Sequence, residues 1–262
     1  MKPLFSIIVV SYNAGQTIKT TIESILKQDL NNYEIIVKDA CSTDDTIQNI
    51  PENDKIKFYQ TKDCGIYGGM NEAIGYSSGE YLLFLNCGDY FYNEQVLSKI
   101  SEFLGTVDAD VVYGNYCRKE VVFNQPSVLT KNYFFRTPLC HQTIFYKRSL
   151  FEEFGGYDLK YKICADCDFN LKIFCAGKRY FHCDCIVSDY LGGGASETEK
   201  GIELNKKEYK EILGTYFTKK EIRKNKIKMF FTFRKLRKAL ISDKSPKWLR
   251  RLYRKAVNKV NG

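Results

Sequence analysis

The stretch Gly79-Glu80-Tyr81-Leu82-Leu83-Phe84-Leu85-Asn86-Cys87-Gly88-Asp89 decides how this chain folds. Tyr81 to Leu85 is an unbroken apolar run, which suits a strand buried on both faces of a parallel sheet. The run stops abruptly at Asn86, Cys87, Gly88 and Asp89, so a buried strand delivers a carboxylate to the surface. In open α/β sheets ligands bind beyond the carboxyl ends of the strands, where an Asp meets charged ligands and metals. An Asp in that place also serves simply to open the turn before a following helix. The neighbouring strands decide between the two readings.

Working back from this strand, Leu4–Ser11 reads as a β-branched apolar strand that ends in Ser11, Tyr12, Asn13 and Gly15. Ile18, Ile22, Ile25 and Leu26 then mark one face of an amphipathic helix running to about Gln28. A second strand, Tyr33–Lys38, delivers Asp39, and Ser42, Thr43 and Asp44 precede a short helix as N-cap residues. A third, Ile56–Gln60, leads to Asp63-Cys64-Gly65-Ile66-Tyr67-Gly68-Gly69-Met70-Asn71, with a helix expected over Glu72–Tyr76. This alternation of strand and helix builds a parallel sheet with right-handed crossovers. Three strands therefore release polar clusters at one edge: Ser11 with Asn13, Asp39 with Ser42 and Asp44, and Asn86 with Asp89. Such recurrence is what a nucleotide and metal site needs. A carboxylate can accept a hydrogen bond from a uracil or guanine ring N–H, and hard oxygens suit Mg²⁺ or Mn²⁺ on a diphosphate.

Composition sets the outer bounds. A chain of 262 residues, 44% hydrophobic and 15% aromatic, is long enough for one substantial α/β core with an appendage. No Gly-x-x-x-x-Gly-Lys-Ser/Thr loop is present, and the glycines at 65, 68 and 69 do not make a dinucleotide fingerprint after a strand. These gaps argue against an ATPase and a dinucleotide oxidoreductase. No run reaches the roughly 18 apolar residues needed to span a bilayer, and the first residues lack a secretory pattern, which leads us to expect a cytoplasmic protein. The ten cysteines are then expected as reduced thiols. Cys164 and Cys167, one turn apart on an expected helix, and Cys183 and Cys185, on an expected strand, do not have the spacing of a structural zinc site.

Four segments carry a family resemblance: Ser6-Ile-Ile-Val-Val-Ser-Tyr-Asn13, Val37-Lys-Asp39-Ala-Cys-Ser-Thr-Asp-Asp-Thr46, Asp63-x-Gly-Ile-Tyr-x-x-Met-Asn71 and Gly79 to Asp89. In this order they resemble family 2 glycosyltransferases with the GT-A fold, a Rossmann-like, mostly parallel sheet flanked by helices. The branch most similar to this chain works in bacterial capsule, exopolysaccharide and lipopolysaccharide assembly. The resemblance runs from residue 4 to about 200. It implies a nucleotide-sugar donor, UDP in preference to GDP, a divalent cation (Mn²⁺ or Mg²⁺), and transfer with inversion at the anomeric carbon. By the same resemblance Asp39 reads the base, with Ser11, Tyr12, Asn13 and Ser42 around the nucleoside. Asp63, Gly65, Asn71 and Asn86 line the donor, and Asp89 faces the metal. The chain departs from the pattern at Asn86 and Gly88, which stand where relatives have Asp and leave one carboxylate in the element. Gly68-Gly69 likewise stands where relatives often have Asp-Ala.

In the second half, His141-Gln142 resembles a motif near the acceptor or diphosphate. Asp166 and Asp168 open an expected helix, where carboxylates are favoured by the dipole, and Asp166 matches the position of the family's catalytic base. That base removes the proton from the acceptor hydroxyl. Gly192-Gly193-Gly194-Ala195-Ser196 reads as a mobile loop, and the resemblance has it close over donor and acceptor.

We divide the chain into a GT-A domain over 1–204, with a nucleotide-sugar half (1–115) and an acceptor half (116–204), and a basic helical tail over 205–262. The tail holds 20 Lys and Arg against 4 Asp and Glu, leaving 20 basic and 27 acidic residues in 1–204. After Ser245-Pro246, Trp248, Leu249, Leu252, Tyr253, Val257 and Val260 share one helical face and cations the other. That composition suits a helix lying in an anionic membrane interface rather than a nucleic-acid arm. The expected partners are thus a nucleotide-sugar, a glycan or lipid-linked acceptor, and the inner face of the plasma membrane through 205–262, with no nucleic acid. Two other classes compete: a sugar-phosphate nucleotidyltransferase, which would show a Gly-rich signature near the first strand, and a nucleotide-sugar or membrane-binding module without turnover.

Overall fold

The computed structural model describes residues 2–190 and 192–231. The described residues fall into two units, one ending at Ile212 and the other beginning at Leu213. Nine strands form one sheet in the order β3-β2-β1-β4-β8-β6-β9-β5, with β7 paired to β6. They are β1 (Phe5–Ser11), β2 (Tyr33–Asp39), β3 (Ile56–Gln60), β4 (Tyr81–Phe84), β5 (Asp89–Phe91), β6 (Val111–Arg118), β7 (Val121–Phe123), β8 (Ile144–Lys147) and β9 (Tyr180–Tyr190). β1 to β4, β6 and β9 point one way, and β5, β7 and β8 run against them.

Every residue of β1, β2 and β4 is buried, as continuous apolar strands covered on both faces must be. β1 lies between β2 and β4, in a register that sets Ser11 beside Asp39 at the carboxyl end. Helix α1 (Thr17–Leu26) adds Ile18, Ile22 and Ile25 to the core beneath. Two polar residues inside these strands keep partners. Glu34 accepts from the Ser6 hydroxyl, the Ser78 and Gly79 amides and Lys57, and the buried Lys38 reaches Asp63 at 2.9 Å.

Helix α2 covers Ile66–Tyr76, beginning six residues before the Glu72 start expected from sequence. The two glycines that concealed its first turn are there for close approach. A Cβ on Gly68 would lie 2.7 Å from Cys64 Sγ, and one on Gly69 would lie 2.8 Å from an Asp63 carboxylate oxygen. Asp89 differs from the turn reading as well: it opens β5, directly opposite Tyr190 of β9, instead of leading into a helix.

The remaining helices among the described residues are α3 (Val96–Leu104), α4 (Lys131–Phe134), α5 (Ser149–Phe154), α6 (Ala165–Cys175), α7 (Glu199–Tyr216) and α8 (Lys219–Phe231). α5 and α6 are anchored by an aromatic cluster. Phe151 stacks on Phe169 with centroids 4.5 Å apart, and Tyr157, Tyr146 and Phe84 close around them edge-on. Rings packed this way contribute about 1 kcal/mol per pair beyond their burial. All ten cysteines are free thiols; Cys164 immediately precedes α6 and is not within it. No helix among the described residues is long and apolar enough to cross a membrane. The amphipathic helix expected after Ser245-Pro246 lies outside the described residues.

Candidate functional site

The Ser11–Asp39 register builds the first part of the site. Asp39, fully buried, accepts from the Ser11 hydroxyl (2.9 Å), the Ser42 amide (2.8 Å) and hydroxyl (2.6 Å), and the Gln60 amide (3.3 Å). Burial works to raise the pKa of this carboxyl, but the Ser42, Ser11 and Gln60 hydrogen bonds outweigh it, and the net shift is downward. The following loop is held from β1, with the Asn13 amide donating to Ser42 Oγ and Asn13 Oδ1 accepting from the Thr43 amide. Tyr12 stands at the mouth, 64% exposed. Gln60, at the end of β3, was not singled out from sequence; its signal is a polar residue closing a strand beside Asp39.

Asp63 is committed to Lys38 and to the Gly65 amide. Asn71, expected to line a donor, uses both ends of its amide on one neighbour: Oδ1 accepts from the Tyr157 N–H and Nδ2 donates to the Tyr157 carbonyl, at 2.8 and 2.9 Å. Its place is therefore a clamp between α2 and the segment ahead of α6.

The second part joins residues far apart in sequence. Asp89, nearly buried, accepts from Gln142 Nε2 at 2.9 Å, while Gln142 Oε1 accepts from the Cys140 thiol at 3.0 Å. Burial raises the Asp89 carboxyl above its ordinary range, opposed by the Gln142 bond and by His141. Burial also pushes the Cys140 thiol up, which keeps its proton available to donate. Next to this pair, Asn86 Nδ2 meets His141 Nε2 at 3.2 Å, and His141 Nδ1 faces Asp166 Oδ2 at 3.8 Å. With Nε2 accepting from Asn86, the ring proton sits on Nδ1 toward Asp166, an assignment that follows from the network. The other Asp166 oxygen accepts from the Tyr67 hydroxyl at 2.7 Å. Tyr67 is itself buried, and desolvation together with the Asp166 charge drives its pKa well up, so it remains a donor. The structure thus brings Asn86, His141 and Asp166 into one chain and adds Tyr67, a residue of the Asp63–Asn71 motif that was assigned no role from sequence.

α6 owes its placement to a residue in the segment assigned to the tail. Glu208 of α7, 5% exposed, accepts from the amides of Lys162, Ile163 and Cys164 at 2.8, 2.9 and 3.0 Å. The three amides lead directly into α6, the Cys164 amide at its N-cap. A carboxylate so far along the chain gives no local signal of this role.

Among the described residues no group of three or more His, Cys, Asp or Glu is arranged to hold a metal ion alone. Hard oxygens are nevertheless present at Asp89 and at Asn86 Oδ1, a buried atom with no hydrogen-bond partner. This set fits a cation that takes one carboxylate from the protein and its remaining oxygens from a bound phosphate, as Mg²⁺ commonly does.

A family model described as glycosyl transferase family 2 matches residues 6–171. The chain is similar to a PGL/p-HBAD biosynthesis glycosyltransferase of Mycobacterium bovis, 33% identical over 207 residues that cover 75% of this chain and 80% of that one. It is also similar to Escherichia coli WfaP, a UDP-Glc:alpha-D-GlcNAc-diphosphoundecaprenol beta-1,3-glucosyltransferase, at 37% identity over 116 residues, or 43% of this chain and 46% of that protein. Among solved structures, S. aureus TarS 1–349 in complex with UDP-GlcNAc shares the fold, with a TM-score of 0.66 and 21% identity over 97% of this chain and 78% of that fragment. The match spans 46% of a longer TarS chain.

Proposed function

The chain belongs to glycosyl transferase family 2 and has the GT-A fold, and from that premise we propose that it is an inverting, metal-dependent glycosyltransferase. It moves a sugar from a nucleotide-sugar, a UDP-sugar first, to a hydroxyl of a lipid-linked glycan in surface polysaccharide synthesis. The observation that carries this reading is the Tyr67–Asp166–His141–Asn86 chain, which holds one carboxylate ready at the start of α6 next to Asp89. Asp39 reads the base, and Ser11, Tyr12, Asn13 and Ser42 hold the nucleoside. Asp63 and Gly65 shape the donor side, and Asn71 braces it through Tyr157. Asp166 accepts the proton of the acceptor hydroxyl while that oxygen bonds to the anomeric carbon. The bond from that carbon to the phosphate oxygen breaks on the opposite face, so one displacement inverts the centre and the nucleoside diphosphate departs. Gln142 holds Asp89, and His141 bridges Asn86 and Asp166. Asp89 and Asn86 Oδ1 would hold Mn²⁺ or Mg²⁺, which when bound supplies charge neutralisation of the leaving diphosphate.

A thermal-shift and donor-hydrolysis panel of UDP- and GDP-sugars, with and without Mn²⁺, tests the assignment. A donor at a hundred times its Kd contributes about 2.7 kcal/mol, or roughly 5–10 °C in Tm for a chain of this size. We expect that shift for one donor, dependent on metal, lost in Asp39→Ala and insensitive to metal in Asp89→Ala. Absence of any shift with every nucleotide-sugar would overturn the reading, and binding without hydrolysis or transfer would favour a module without turnover.

The same proposal places the protein at the cytoplasmic face of the membrane through residues 205–262, on the strength of their composition. Vesicles containing anionic lipid should co-sediment the full chain in low salt and release it as salt rises, since each basic residue near such a surface contributes about 1 kcal/mol. Equal recovery with neutral vesicles would remove the basis for this placement.

A further inference from the structure

Asp89 of β5 lies directly opposite Tyr190 of β9. On the other side of β9, β6 pairs Cys117 with Asp189, and one residue further Arg118 sets its guanidinium carbon 4.9 Å from the centre of the Tyr190 ring. Residues opposite one another across a sheet share a face, so Arg118, Tyr190 and Asp89 form a row on one face. Two strand spacings, about 10 Å, separate its ends.

A nucleoside diphosphate held at Asp89 brings several negative charges into a neighbourhood that already contains Asp89, Asp189 and Asp166. Positive charge near the row comes from Arg118 and from Lys119 at the hairpin tip, whereas Lys38 is committed to Asp63 and Glu72. Of these, only the guanidinium has the planar fork that matches phosphate oxygens two at a time.

In the structure that fork already holds an anion. Glu197 Oε1 accepts from Arg118 Nη2 at 2.6 Å and from the Tyr190 hydroxyl at 2.7 Å, and Oε2 accepts from the Gly193 amide at 3.0 Å. Glu197 closes a short 3-10 turn reached through Gly192 and Gly193, whose φ values of 82° and 84° suit glycine. The grip is incomplete, because Arg118 Nε is buried and finds no acceptor. A buried donor left unmade costs free energy that a second acceptor would recover.

We propose that Arg118 binds the diphosphate of the donor and that the Glu197 carboxylate occupies its place until the donor displaces it. This inference rests on the donor reading given above. Exchange frees the 192–197 segment at the moment the diphosphate is seated, so donor binding and movement of this loop become one event.

Isothermal titration of the full chain with UDP, GDP, uridine and guanosine, on wild type, Arg118→Ala, Arg118→Lys and Glu197→Gln, tests it. For the diphosphate that binds wild type, Arg118→Ala should weaken affinity tenfold or more and leave the matching nucleoside unchanged, with Arg118→Lys intermediate. Glu197→Gln should tighten the diphosphate severalfold without affecting the nucleoside, a gain that a misfolded variant cannot produce. Unchanged diphosphate affinity in Arg118→Ala, with binding still lost in Asp39→Ala, would overturn the inference and leave the donor reading standing. Glu197→Gln weakening the diphosphate as much as Arg118→Ala would make the ion pair purely structural. Failure of both diphosphates to bind wild type would defeat the donor reading and this inference together.

Discussion

An Asp166→Asn protein is expected to bind its donor as the wild type does and to transfer sugar about a thousandfold more slowly. The size follows from the task assigned to the carboxylate, since a positioned general base contributes roughly 10²–10⁴. The isosteric amide can still accept from the Tyr67 hydroxyl, which holds Asp166 at 2.7 Å, so Tm should move by no more than a degree or two. Single-turnover kinetics with saturating donor checks this directly. Tyr67→Phe, which keeps the carboxylate but removes that donor, should lose about ten- to a hundredfold in kcat with little change in donor KM, in line with the roughly 1.5–3 kcal/mol of a hydrogen bond to a charged group. Transfer by Asp166→Asn within tenfold of wild type would move the base elsewhere, with Asp168 of the same first helical turn the next to be examined.

Glu208→Ala should produce the largest loss of stability of any single substitution at the periphery of the site. The carboxylate accepts from three consecutive amides, Lys162, Ile163 and Cys164, ahead of α6. Its removal strands the buried Cys164 amide and the half-buried Ile163 amide, each costing about 1 kcal/mol or more, with a smaller cost at the exposed Lys162, for a total of about 3 kcal/mol. For a chain of this length that corresponds to roughly 6–12 °C in Tm. Glu208→Gln keeps one acceptor oxygen and should fall between. Turnover at a temperature where the variant remains folded should also decline, because the start of α6 carries Asp166. A Tm within 2 °C of wild type, read by calorimetry, would show that water replaces the carboxylate at no cost.

The parts of the fold that could be read from the chain are those where local pattern and tertiary burial agree. β1, β2 and β4 are largely apolar and buried throughout, so their positions in the chain and the polar residues at their carboxyl ends followed directly. β3 was read at Ile56–Gln60, as it stands, and a strand was expected where β9 holds Cys183 and Cys185; the short and antiparallel strands were opaque for physical reasons. β5 is only three residues long, and β8 enters antiparallel between β4 and β6. α2 carries Gly68 and Gly69 in its first turn, residues of poor helix propensity that are there because Cys64 and Asp63 leave no room for a Cβ. The site divides the same way. Ser11, Asp39 and Ser42 sit together because strand register dictates it, while Tyr67 and Glu208 act across 99 and 44 residues of sequence, where no periodicity reaches.

Those separations give the molecule a chronology. The acceptors and donors around Asp39 are 28, 3 and 21 residues from it, all within the first 60 residues. Asn86 waits 55 residues for His141, Asp89 waits 53 for Gln142, and Tyr67 waits 99 for Asp166. Contacts that close long loops are the slow ones in folding, since the entropy of closure must be met before they form. As the chain leaves the ribosome, every side-chain partner of Asp39 is already made while His141, Gln142 and Asp166 are still to be translated. The polar cluster around Asp39 can therefore assemble early, and the Tyr67–Asp166–His141–Asn86 chain closes late, when the second half of the molecule docks on the first.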